Sequence, residues 1–306
     1  MTITRCGWIM AVAGLLAAWS LARGEPAVRI SVATQVWSDE GRTLEAALAR
    51  LDDAGVLGTD IVCTYELVWI SGPDPGQIAR GTEAAKKNLQ RVAEKARQHT
   101  MYVLIAGVVD RIERNEAILY GRDGQEKGRY FKIAKTHPEQ IPGEAANILE
   151  TDFGRIGVRI CADEWMGELD RCYAVGGADI VFTPTQSWGP DALFRDLRDM
   201  SRAMDGGNFL VECTHPSTEA VHRSLIVDPA GAVIARSEYR KPGLVSAVID
   251  LDADRPLRFL RVYDPHTPGG YLPEYQPTQM PRSANDLRET ILASRRPELY
   301  GPLAPQ

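Results

Sequence analysis

Residues 154–165, GRIGVRICADEW, change character at a single cysteine. The run of Ile156, Val158 and Ile160 has the pattern of a buried strand, and Cys161 closes it. Ala162, Asp163 and Glu164 come directly after it. A core thiol normally sits among apolar neighbours. This one is delivered to the point where the chain turns charged, which marks Cys161 as a candidate nucleophile. The same stretch decides the fold, because the chain downstream of it alternates between helix and strand. A short helix is expected over Leu169 to Val175, then the strand ADIVFTPTQ (178–186), then a helix over residues 190–205 and the strand GNFLVECTH (207–215).

Upstream the alternation is the same. AVRISVATQ (27–35) reads as a strand, Leu44, Ala47, Leu48 and Leu51 recur at helical spacing, and DIVCTYE (60–66) is a second strand. Residues 76–100 are rich in helix formers and lead into the strand MYVLIAGVVD (101–110). Two hairpins are expected, one turning on Asp123-Gly124 and one on Pro229-Ala230-Gly231, and GLVSAVIDLD (243–252) is the last strand. Strands alternating with helices imply an α/β fold with helices over the sheet faces, and the hairpins make the sheets mixed.

The chain has 306 residues, 44% of them hydrophobic and 25% charged, the balance of a globular protein with a full core. Residues 1–24 differ: MTITR (1–5) carries one basic residue and no acid, an apolar run follows, and Ala22 and Gly24 stand at small-x-small spacing. They read as a secretory signal cut before Glu25, with a membrane anchor that stays attached as the alternative; cleavage implies an exported protein, periplasmic or extracellular. The formal net charge is −6, and losing Arg5 and Arg23 with no acid makes the mature chain more acidic still. That balance has no electrostatic footprint for nucleic acid. No second apolar run is long enough to span a bilayer, so no stable membrane association is expected after the signal is removed. Cys63, Cys161, Cys172 and Cys213 remain in the mature chain without a CxxC or Cys/His cluster, so no metal site is expected. Sparse cysteines in a chain this long are unlike a disulfide scaffold; Cys161 is expected free, and the other three as core thiols. The main domain is taken as residues 25–254, and 255–306, rich in Pro and Arg, as an arm packed on another surface.

Three strand ends each present one reactive group: Glu66 after DIVCTY, Lys135 after RYFKIA, and Cys161. In open α/β sheets ligands bind at such ends. A thiol with a pKa of roughly 8.5 is only a few per cent thiolate at neutral pH. A nearby carboxylate can take its proton, and a lysine can hold the charge that develops on a substrate oxygen.

In this order, with GADIVFTPT, SRAMDGGNFLVECTH, SLIVDPAGAVIA and RRPELY behind them, these pieces resemble the nitrilase superfamily of carbon–nitrogen hydrolases over essentially the whole mature chain. The resemblance implies a four-layer αββα sandwich with two mixed sheets, a homodimer or larger homo-oligomer, no cofactor, and a small-molecule amide substrate. It implies Cys161 as nucleophile, Glu66 as base and a lysine as oxyanion donor beside the N–H of Ala162. His stands two positions after the family's lysine, so KTH selects Lys135 and leaves Lys132 facing solvent. Glu144 matches the second glutamate of amidase members. Trp188 stands where the family lines its pocket, with a plainly packed aromatic as the alternative. Asp163 and Glu164 are expected to cap the next helix. Thr64-Tyr65 replaces the family's usual Phe-Pro. Nitrilases commonly have Trp-Glu after the cysteine; Ala-Asp-Glu here favours an amide or N-carbamoyl compound over a nitrile, with an idle exported binding protein as the reading from another class.

Overall fold

The computed structural model describes residues 27–34, 40–66, 68, 70, 83–110, 114–136, 141–187, 192–216, 223–238 and 241–251. The signal segment 1–24, Trp188, His137 and the arm after residue 254 lie outside them.

The strands are β1 (Ala27–Thr34), β2 (Ile61–Cys63), β3 (Tyr102–Asp110), β4 (Arg114–Tyr120), β5 (Glu126–Phe131), β6 (Ile148–Glu150), β7 (Arg155–Val158), β8 (Ile180–Ser187), β9 (Phe209–Pro216), β10 (Leu225–Val227), β11 (Val233–Arg236) and β12 (Gly243–Asp250). The helices are α1 (Leu44–Val56), α2 (Glu83–His99), α3 (Gly167–Gly176) and α4 (Ala192–Gly206), with a 3₁₀ turn over Cys161–Trp165. Two six-stranded sheets result, ordered β12-β1-β2-β3-β4-β5 and β11-β10-β9-β8-β7-β6. Each has a parallel centre, β1-β2-β3 or β7-β8-β9, flanked by antiparallel strands. Two of the antiparallel pairs, β4-β5 and β10-β11, are the expected hairpins, whose tight turns place Gly124 and Gly231 at φ of 75° and 80°.

Helices α1 and α2 cover the first sheet, and α3 and α4 the second. The α1 helix shows why. Leu44, Ala47, Leu48, Leu51 and Ala54 form one buried stripe, and the Thr43 hydroxyl caps the N-terminus by accepting from Ala46 N at 3.2 Å. Between the sheets, Ile30, Val32, Ile61 and Leu104 of one pack with Ile156, Val158, Phe182 and Val211 of the other. Full burial of such side chains contributes about 1.5–3 kcal/mol each. The result is the expected sandwich of two mixed sheets between helices. The three-residue β6 is too short to show a period in the sequence.

Candidate active site

Both parallel strand sets run out at the same end of the sandwich, and the polar groups gather there. Glu66 lies just past β2, only 2% exposed. Its Oε1 accepts from Asn115 Nδ2 of β4 at 2.7 Å and pairs with Lys132 Nζ at 3.1 Å. Its Oε2 accepts from the backbone N–H of Gln186 in β8 at 2.8 Å. Donors from both sheets therefore hold this carboxylate, which at this depth would be very unfavourable without them.

The lysine in this site is Lys132, not Lys135. Strand alternation explains the correction: Tyr130 is fully buried, so Lys132, two residues on, falls on the same inward face. The β5 ladder also continues one residue past its end, with Lys132 N donating to Asn115 O at 2.9 Å. Lys132 is 4% exposed, whereas Lys135 is exposed. Burial alone would push the Lys132 ammonium down. The Glu66 carboxylate, with Cys161 and Asp163, outweighs it and holds the group above the ordinary lysine range.

Cys161 begins the 3₁₀ turn at φ 49°, a left-handed conformation uncommon outside glycine. Such a backbone persists only where its surroundings enforce it, at a strain of order 1–3 kcal/mol. The half-buried thiol donates to the backbone carbonyl of Gln186, Sγ to O 3.7 Å. One residue, Gln186, thus touches the acid through its N–H and the thiol through its C=O. Burial, and then the negative charge of Glu66, push the thiol up to about 12, with Lys132 pulling the other way. The resting sulfur is protonated, so any attack by it would need a base to take its proton.

Asp163 does not cap the next helix, since α3 has Met166 at its N-cap with no side-chain bond. Asp163 instead accepts from Ile160 N at 2.8 Å within its own turn, and from Tyr130 Oη at 2.7 Å, Ile133 N at 3.1 Å and Ala134 N at 2.6 Å. It therefore ties the segment carrying Lys132 to the turn carrying Cys161. Glu164 is buried and pairs with Arg195 at 3.0 Å and Arg198 at 2.8 Å, pinning α4 to the turn. Behind the turn, fully buried Arg159 donates from Nε to Thr183 at 2.7 Å, from Nη1 to Asp170 at 2.9 Å, and from Nη2 to Asp199 at 2.6 Å. The strand leading to Cys161 is thereby fastened to β8, α3 and α4.

The remaining expectations divide. Ala162, the residue after Cys161, is buried. Glu144 is exposed, and among the described residues no hydrogen bond joins it to Lys132. A loop acid after a glycine turn looks alike in sequence whether it faces in or out. Cys63 and Cys213 are buried as expected, but Cys172 is exposed, because the buried stripe of α3 runs through Leu169, Asp170, Tyr173 and Ala174. Trp188 lies outside the described residues. Asn115 and Gln186 join the site without any sequence motif to announce them, although Asn115 does open an otherwise apolar strand face. Asn115 Oδ1 and Gln186 Nε2 are buried without a hydrogen-bond partner among the described residues.

A family model described as Carbon-nitrogen hydrolase matches residues 3–259. The chain is 26% identical over 283 residues to a bifunctional nitrilase/nitrile hydratase of Lupinus angustifolius, covering 74% of this chain and 79% of that protein. It is 25% identical over 245 residues to the chloroplastic omega-amidase of Arabidopsis thaliana, covering 70% and 65% respectively. Among solved structures, an amidase from Nesterenkonia sp. shares the fold with a TM-score of 0.63 at 21% identity, over 74% of this chain and 91% of that one.

Proposed function

Since the chain belongs to the carbon–nitrogen hydrolase family, we propose that it hydrolyses a non-peptide C–N bond, in an aliphatic amide or an N-carbamoyl compound, with Cys161, Glu66 and Lys132 as its catalytic residues. The observation that carries this reading is the shared Gln186 peptide, which holds a strained, protonated thiol and a buried carboxylate side by side while Lys132 pairs with that carboxylate.

In this mechanism Cys161 Sγ attacks the acyl carbon as the thiol proton passes to Glu66. The oxyanion that forms lies against Lys132 Nζ and the N–H of Ala162, donors of a kind worth about 10² to 10³ in rate. Collapse returns the proton to the nitrogen, ammonia or an amine leaves, and a thioester remains on Cys161. Glu66 then takes a proton from water, whose oxygen attacks the thioester and frees the thiol as the acid departs. The Glu66–Lys132 pair keeps the site neutral overall before substrate enters, so the buried charges are compensated throughout.

The similarity to a nitrilase/nitrile hydratase keeps nitriles in the test. Ammonia release from aliphatic amides, N-carbamoyl amino acids and nitriles decides between them: turnover of amides or carbamoyl compounds supports the proposal, and turnover of nitriles alone replaces it. Export through residues 1–24 and self-association through the arm after residue 254 belong to the same proposal. The first is checked by finding Glu25 at the N-terminus of recovered protein. The second is checked by light scattering, which should show weaker association in a chain ending at Asp254.

A further inference from the structure

Gln186 has a part that its backbone does not explain. Along β8, Ile180 and Phe182 enter the core between the sheets, while Val181 packs against the helix side. By the same alternation Gln186 projects its side chain between the sheets, at the strand end where Glu66 and Cys161 are held. The residue is 3% exposed, and among the described residues its Nε2 has no hydrogen-bond partner. A buried donor left unpaired costs about 1–3 kcal/mol, so a glutamine with no use for its amide is a poor filler there. Methionine, of similar length, would fill the space without that penalty.

We propose that Gln186 Nε2 donates a hydrogen bond to the acyl oxygen of the substrate, as a third donor beside Lys132 Nζ and Ala162 N–H. This rests on the hydrolase reading above. Any substrate of Cys161 must bring its acyl carbon to Sγ, and the Gln186 carbonyl is 3.7 Å from that same sulfur. The oxygen bonded to that carbon then falls within reach of a side chain rooted at the same residue. An oxygen gaining negative charge in the transition state accepts more strongly than the ground-state carbonyl, so the contact acts mainly on kcat.

The test is Gln186→Met in the full-length enzyme, assayed with propionamide, which has no polar group besides the amide. The expected result is a kcat lower by roughly 10- to 100-fold with KM changed far less. Because the variant removes an unpaired donor rather than a bond, the Tm of the free enzyme should hold or rise. Labelling of Cys161 by methyl methanethiosulfonate, a reagent without a carbonyl, should proceed as in the wild type. A kcat within about twofold of wild type would overturn the proposal. So would a loss of turnover matched by a fall in Tm or in thiol labelling, since that marks a structural role. If the wild type turns over none of the amides and Cys161 is never acylated, the hydrolase reading falls and this proposal with it. An active wild type equalled by Gln186→Met removes the proposal alone.

Discussion

Two buried polar clusters flank the second sheet, and they hold their cations differently. Around Arg159 every guanidinium nitrogen is engaged, by Thr183, Asp170 and Asp199. Around Glu66 the network stops short. Among the described residues Gln186 Nε2 and Asn115 Oδ1 have no partner, Lys132 shares its carboxylate with an amide, and Cys161 stands half-buried in a left-handed backbone. A cation with every nitrogen engaged fastens strands to helices. An unfinished network retains unmet hydrogen-bonding capacity that a reacting molecule can meet. Asp199 Oδ2 of the first cluster also lacks a hydrogen-bond partner among the described residues, so the clusters differ in how the cation is held and in the thiol beside it, not in unmet capacity alone.

The largest effect should come from breaking the cluster around Arg159. Arg159→Met leaves Asp170 and Asp199 buried without their shared cation, and removing one side of a buried pair typically costs about 3–5 kcal/mol. Urea denaturation should show that loss; an unchanged midpoint would mean the two clusters do not differ as described. Lys132→Met should act on turnover instead, lowering kcat by about 10² to 10³. Its Tm should fall less than that of Arg159→Met, because Glu66 keeps its bonds from Asn115 and Gln186. Lys135→Met, at an exposed position, should leave steady-state rates near wild type. The opposite ranking would restore Lys135 to the site.

That lysine shows how far the chain can be read unaided. The alternation of strands and helices, both hairpins, and the strand ends bearing Glu66 and Cys161 are legible because each rests on local periodicity. Lys132 and Lys135 are not separable by the neighbouring His137 motif. They are separated by the inward phase of Tyr130, which shows itself only once β5 is paired with β4. Cys172 illustrates the same limit. Its segment has an apolar period, but the face it occupies depends on which stripe α3 turns toward the sheet. Gln186 is hidden for a different reason, since it contacts Glu66 across 120 residues of chain.

A smaller, directional effect tests the electrostatics of the unfinished cluster. The charge of Glu66 helps hold the Cys161 thiol up at about 12, so Glu66→Gln should bring it down and move the onset of alkylation by iodoacetamide to lower pH. Removing the cation instead, as in Lys132→Met, should move that onset to higher pH. Shifts of the opposite sign would mean that these groups do not face the sulfur. Least of all, Glu144→Gln should alter kcat by less than about twofold, as its carboxylate is exposed and unconnected to Lys132. A loss beyond tenfold or so would return it to the site.

The central claim is that Cys161 carries the acyl group. Wild-type protein turning over propionamide, quenched in acid and analysed by peptide mass mapping, should show a propionyl thioester on the peptide containing Cys161, and Cys161→Ala should show neither adduct nor turnover. Wild-type rates of hydrolysis in Cys161→Ala would contradict the account outright.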